Sequence, residues 1–114
     1  MVQRGEIWWT DLGEPRHSGL AGHRPVVVVQ ADAFNRSKIS TVLVAVVTSN
    51  VSMAAAPGNV MVRTEESGLG RDSVVNVSQL ITVDRRDLAT KAGSLFLDTM
   101  REVDAGLRLV LDLT

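Results

Sequence analysis

The sequence predicts an α+β fold, mainly β: a small, strongly bent antiparallel sheet or barrel packed on one long C-terminal helix. Three observations predict it. Eighteen of the 114 residues are valine, gathered in a few runs. A β-branched side chain loses rotamer freedom in a helix and packs well on a pleated surface. Glycine, proline, asparagine and aspartate punctuate the chain between those runs, as turns require. Only the last segment carries a helical period. With 114 residues and 45% apolar content, the chain can bury a real core and suits one domain, 1–114.

The elements follow in order. EIWWTDL (6–12) reads as the first strand, ended by Gly13, Glu14 and Pro15. A polar, glycine-containing loop follows to His23. Pro25 opens the second strand, PVVVVQ, whose valines predict burial on both faces. ADAFNRSK (31–38) reads as a short helical turn and TVLVAVVTS (41–49) as a third, nearly apolar strand. Residues 50–59 are small and irregular, turning at Pro57 and Gly58. Val60 opens a short edge strand, and TEESGLGRD (64–72) is a charged, glycine-rich hairpin connection. Residues 73–84 form two strands or one bent strand. Asp84 can cap a short helix, RRDLATK, before a return at Gly93. Phe96, Met100, Val103, Leu107 and Val110 are spaced 4, 3, 4 and 3, which predicts an amphipathic helix capped by Ser94 or Asp98.

Composition removes whole classes of function. The chain has no cysteine, which excludes a disulfide scaffold, a cysteine nucleophile, a zinc ribbon and a cysteine-ligated iron–sulfur cluster. A net charge of −1 excludes a histone-like polycation, so a polyanion must be held by a local patch. No run approaches the ~18 apolar residues of a membrane helix, and MVQRGEIWW lacks the apolar stretch of a signal peptide. The cytoplasm is the expected compartment. No P-loop, GxGxxG or GxSxG motif is present. His17 and His23 share a loop without further ligands at metal spacing, so no metal or other cofactor is expected.

A few residues stand out. Residues 15–40 carry Arg16, Arg24, Arg36 and Lys38 against Asp32 alone, a basic stretch suited to phosphodiester oxygens, since arginine presents a fork of donors. The alternative is an ordinary polar loop. Arg24 sits at the threshold of the valine strand. Thr48, Ser49 and Asn50 follow the apolar run of the third strand, either as a turn or as hydrogen-bonding groups at a cleft edge. Asn76 and Gln79 interrupt another apolar strand. Trp8 and Trp9 must face opposite ways in a strand. Each is either core or interface, or one is a stacking platform for a base.

At RGEIWWTDL, AGHRPVVVVQ and VVTSN, and on through RDSVVNVSQLITVD to a closing helix ending LVLDL, the sequence resembles the MazF/PemK toxins of bacterial toxin–antitoxin pairs. The resemblance runs nearly end to end. It implies an SH3-like barrel with added helices, a homodimer, and a sequence-specific, metal-independent endoribonuclease that cuts single-stranded RNA and so inhibits translation and growth. It also implies an antitoxin whose flexible, acidic C-terminal segment occupies the RNA groove. The family's catalytic arginine falls on Arg24 and its catalytic threonine on Thr48. RNA-contacting positions fall on Ser18 and Gln79, to which His23 and Ser49 are added as neighbours of the catalytic pair. Many members carry an acidic residue where this chain has Gly19. The same barrel also serves a gyrase-poisoning family that acts by protein binding, which is the alternative reading.

Cleavage of RNA without metal uses the 2′-hydroxyl as nucleophile and leaves a 2′,3′-cyclic phosphate and a 5′-hydroxyl. It needs a base, an acid, and donors or cations for the charge on phosphorus. Arginine suits the last task, being a poor base that stays protonated. Thr48 can donate to a phosphate oxygen. His23 is the natural proton carrier, yet it adjoins Arg24. If the strand begins at residue 23, the two point to opposite faces. Arg24 is expected to enter the cleft, with His23 auxiliary.

Overall fold

In the computed structural model, which describes residues 1–13 and 22–114, the valine runs become the centre of a six-stranded antiparallel sheet. Its strands are β1 (Glu6–Asp11), β2 (His23–Val28), β3 (Thr41–Thr48), β4 (Val60–Val62), β5 (Ser73–Asp84) and β6 (Leu88–Ser94), in the order β4-β5-β3-β2-β1-β6. Among the described residues three α-helices accompany them: α1 (Asp32–Asn35), α2 (Thr64–Ser67) and α3 (Leu97–Val110). The sheet curls into a half-barrel, mainly β as the sequence predicts.

Alternation along β2 and β3 explains why both read as continuous apolar runs. Val27, Val29, Ala45 and Val47 belong to one buried cluster with Ile7, Val75 and the α3 residues Met100 and Val103. Val26, Val28, Val42 and Val44 belong to a second, with Val2, Val83 and Leu88. Side chains on opposite faces of a strand are therefore both removed from water.

The curl has two local causes. Between β3 and β5 the register jumps, from Ala45 opposite Leu80 to Val46 opposite Asn76, so Val77, Ser78 and Gln79 bulge and bend the long strand. At the open side, α2 follows the β4 edge and lies against the β6 edge. The approach is close enough that a Cβ at Gly68 would overlap the Ala92 carbonyl, and Gly68 also has φ +69°. Glycine is required there on both counts. The buried Glu66 carboxylate fastens this closure: it accepts from the Phe96 amide (2.8 Å) and from Thr99 Oγ1 (3.0 Å). Glu66 thus caps α3 from another element, near the positive end of its dipole.

Some expectations are corrected. The segment RRDLATK is not a helix: only Arg85–Asp87 forms a 3-10 turn, capped by Asp84 as expected, and Leu88 then enters β6. Pairing with β1 supplies what the local sequence does not. The 64–72 connection contains the helical turn α2, and Val51–Ala55 a 3-10 turn. Neither Ser94 nor Asp98 is the N-cap of α3; Phe96 occupies that position. The predicted stripe on α3 is buried at Met100 and Val103, while Phe96 and Val110 at its ends are exposed.

Candidate active site

Strand β2 begins at His23, so His23 and Arg24 alternate across the sheet. The β2–β3 ladder runs from Val28 opposite Val44 to Val26 opposite Val46. It stops where Pro25 has no N–H to give. Continuing that register sets Arg24 opposite Thr48 and His23 opposite Ser49. On the other side of β2, Arg24 pairs with Thr10 of β1, and Thr48 pairs with Val74 of β5. Arg24 and Thr48 thus lie two residues beyond the last paired positions of β2 and β3, at the same end of neighbouring strands and on the face of Val26 and Val46. The Thr48 hydroxyl accepts from the Asn50 amide (3.1 Å), which leaves its own O–H to donate.

The next row on this face runs through Trp8, Val26, Val46 and Asn76. Asn76 is buried, donates to Gln79 Oε1 (3.1 Å) and accepts from the Ser78 hydroxyl (2.7 Å). The bulge thus ties Gln79 to the row adjoining Thr48. Trp8 Nε1 donates to Glu6 Oε1 (3.0 Å), and Glu6 also pairs with Lys91 (3.0 Å). Burial pushes the Glu6 carboxyl pKa up, but the Gln3 amide, the Trp8 indole and Lys91 outweigh it and hold the group below its ordinary value.

The alternate row opens on a cavity of about 330 Å³. Trp9, His23, Pro25, Val47, Ser49 and Ser73 line it, joined by Leu69 and Arg71 from the segment after α2, and Arg24 forms part of its wall. The rings of Trp9 and His23 stack in parallel, centroids 5.1 Å apart and planes inclined by 6°. Ser73, buried, donates to the Arg71 carbonyl (3.3 Å). No carboxylate lies among the described lining residues.

The structure thus puts Arg24 and Thr48 at the same end of β2 and β3, and brings His23, Arg24 and Ser49 to one cavity. Gln79 is bonded to Asn76, which lies in the neighbouring Trp8–Val26–Val46 row. Ser18 lies outside the described residues, as do Arg16, His17 and Gly19. The basic stretch 15–40 is not one patch, because Lys38 lines a separate hollow with Asp84, Arg85 and Arg86. Arg71, read from the sequence as part of a hairpin connection, is the cation that joins Arg24 at the cavity. Among the described residues there is no group of three or more histidine, aspartate or glutamate side chains able to hold a metal ion, and no helix long and apolar enough to cross a membrane.

Residues 3–111 match the family model of the PemK-like, MazF-like toxins of type II toxin–antitoxin systems. The chain belongs to this family. It is 48% identical over 113 residues to the endoribonuclease MazF2 of Mycobacterium bovis, covering 99% of each chain. The identity to the endoribonuclease MazF6 of Mycobacterium tuberculosis is also 48%, with the same coverage. Among solved structures, an endoribonuclease in complex with its cognate antitoxin, from a mycobacterial species, matches with a TM-score of 0.84 at 22% identity, over 100% of this chain and 98% of that one. MazF of Deinococcus radiodurans matches with a TM-score of 0.78 at 22% identity, over 97% and 96%. These likenesses carry the half-barrel and its helices.

Proposed function

We propose that the protein is the toxin of a toxin–antitoxin pair, an endoribonuclease that cuts single-stranded RNA at specific sequences without a metal ion. The reading rests on one observation above all. The β2–β3 ladder ends at Val26 opposite Val46, which leaves Arg24 and Thr48 two residues further on at the same end of neighbouring strands, in a chain 48% identical over 113 residues to a MazF endoribonuclease.

In this reading the scissile phosphate lies across the Arg24–Thr48 row. The ribose 2′-oxygen forms a bond to phosphorus, the P–O5′ bond breaks, and the 2′-hydroxyl proton is ultimately delivered to the leaving 5′-oxygen. The products are a 2′,3′-cyclic phosphate and a 5′-hydroxyl. The Arg24 guanidinium stabilises charge on the phosphoryl oxygens, and the Thr48 O–H donates to one of them. His23 and Ser49, in the adjoining row, contact the RNA. Gln79 does so from the bulge, and Ser18 is a further contact.

A cavity walled by Arg24 and Arg71 attracts an RNA backbone, and an acidic peptide equally. An antitoxin with a flexible, acidic C-terminal segment then inhibits by occupying the same groove, and the two ligands exclude each other. The working form is a cytoplasmic homodimer whose action stops translation and growth.

The test is incubation of labelled single-stranded RNA with the protein in excess chelator, followed by analysis of the new ends. Cyclic-phosphate and 5′-hydroxyl ends are expected. RNA left intact under every condition would instead favour a protein-binding module on the same fold.

A further inference from the structure

We infer that the Trp9–His23 pair is a seat for one unpaired nucleobase, the base adjoining the linkage held at Arg24. The inference rests on the ribonuclease reading and extends it to the feature that makes single-stranded substrate obligatory.

The two rings are parallel and in stacking contact. They are held by β-sheet register: Trp9 opposes Pro25 and Asp11 opposes His23, so Trp9 and His23 are diagonal neighbours on one face. Neither is sunk in the core; Trp9 is half-buried and His23 exposed. Trp8, by contrast, is pinned on the other face by its bond to Glu6. Pro25, Val47 and Leu69 give the cavity an apolar wall, while Ser49, Ser73, Arg24 and Arg71 supply its polar groups. Apolar walls with a few convergent polar groups are the make-up of a small-ligand pocket, and about 330 Å³ is at the small end of that range.

A planar ring entering this space extends an existing stack by one member. Arg24 lines the cavity and starts the strand whose neighbour ends at Thr48, so a base seated here adjoins the phosphate proposed at Arg24. A base paired in a duplex has its faces covered by neighbours and cannot enter without being flipped out. Stacking tolerates any base. The pair therefore selects for unpaired RNA, while sequence preference is left to the polar groups around it.

The experiment uses the full chain with Trp8→Phe, so that Trp9 is the sole indole. Its fluorescence is followed as a 2′-O-methyl single-stranded oligonucleotide, which cannot be cut, is added. Quenching is expected, and a duplex of the same sequence should not produce it. In parallel, cleavable RNAs carrying an abasic site at each nucleotide around the cut are assayed against wild type and against Trp9→Phe, Trp9→Leu and His23→Leu. At one position beside the cut, loss of the base should cost wild type about 5- to 100-fold. Trp9→Leu should show almost no further loss there, and Trp9→Phe should behave as wild type. His23→Leu, at an exposed position, gives the same reading should Trp9→Leu fold poorly.

Unquenched Trp9 fluorescence with RNA cleavage intact overturns the base seat and leaves the ribonuclease reading standing. So do abasic and Trp9→Leu losses that multiply at every position. Quenching without any cleavage does the reverse. Absence of both overturns both.

Discussion

Two adjacent rows at one end of the sheet are built from the same strands and differ in everything else. The Thr10–Arg24–Thr48 row lies on the face of the Val26 and Val44 core, beside anchored polar groups: Thr10 bonded to the Asp87 carbonyl, Asn76 to Gln79. The His23–Ser49 row, one residue along each strand, opens on a cavity with stacked rings and an apolar wall. Strand alternation sets the two rows on opposite faces, and Arg24, which also walls the cavity, is the residue they share. On the proposed reading, one end of the sheet holds both halves of a nucleotide.

The sharpest way to break this division is at Arg24. Arg24→Ala should lower the cleavage rate constant by about 100- to 1000-fold, the usual cost of a positioned donor to a developing oxyanion. Single-turnover cleavage of a labelled RNA measures it. Thr48→Val, which keeps shape and removes the hydroxyl, should cost less, about 10- to 100-fold. His23→Ala should act mostly on KM, by about 10-fold. A His23→Ala enzyme that is inactive beside an active Arg24→Ala enzyme would reverse the two rows' roles.

The second test moves the cavity wall and not the strands. Glu66→Ala leaves the Phe96 amide and Thr99 hydroxyl without their buried acceptor, and should destabilise the fold by about 1–3 kcal/mol in denaturant unfolding. Gly68→Ala puts a methyl group onto the Ala92 carbonyl at a positive φ, and should cost about 2–4 kcal/mol. Because α2 leads directly to Leu69 and Arg71, both changes should weaken RNA binding more than they slow the cleavage step.

The smallest effect is acid sensitivity. Glu6 and Asp32 both lie below their ordinary pKa values of 4.5 and 3.8: Glu6 because its three hydrogen-bonding partners outweigh burial, Asp32 chiefly because the Arg4 amide and the Asn35 side chain donate to it. A folded-state carboxyl held low binds fewer protons than the unfolded one. Its stabilisation is therefore complete above the unfolded value and is lost as pH falls through the folded value. Unfolding midpoints should fall below about pH 4.5, and Glu6→Gln should flatten that slope.

Much of the fold was legible because valine clustering and the period of the last helix are strong local signals. β6 was not, because Ala89, Thr90 and Lys91 offer no apolar alternation and become a strand only by pairing with β1. At the site, Arg24 and Thr48 were legible through the resemblance, but their juxtaposition needed the β2–β3 register, which a single sequence does not carry. Arg71 was missed because a charged glycine-rich stretch reads as a turn. The helical turn that brings it to the cavity depends on Glu66 finding Phe96 and Thr99, 30 and 33 residues away. The two tryptophans could not be told apart until Glu6 claimed one and His23 the other.

The central claim is that Arg24 and Thr48 serve a single phosphodiester, and a double-mutant cycle on the single-turnover cleavage rate tests it most directly. Acting on one group, Arg24→Ala plus Thr48→Val should be scarcely slower than Arg24→Ala alone. Losses that multiply in full, or an Arg24→Ala protein that cuts at the wild-type rate, would contradict it.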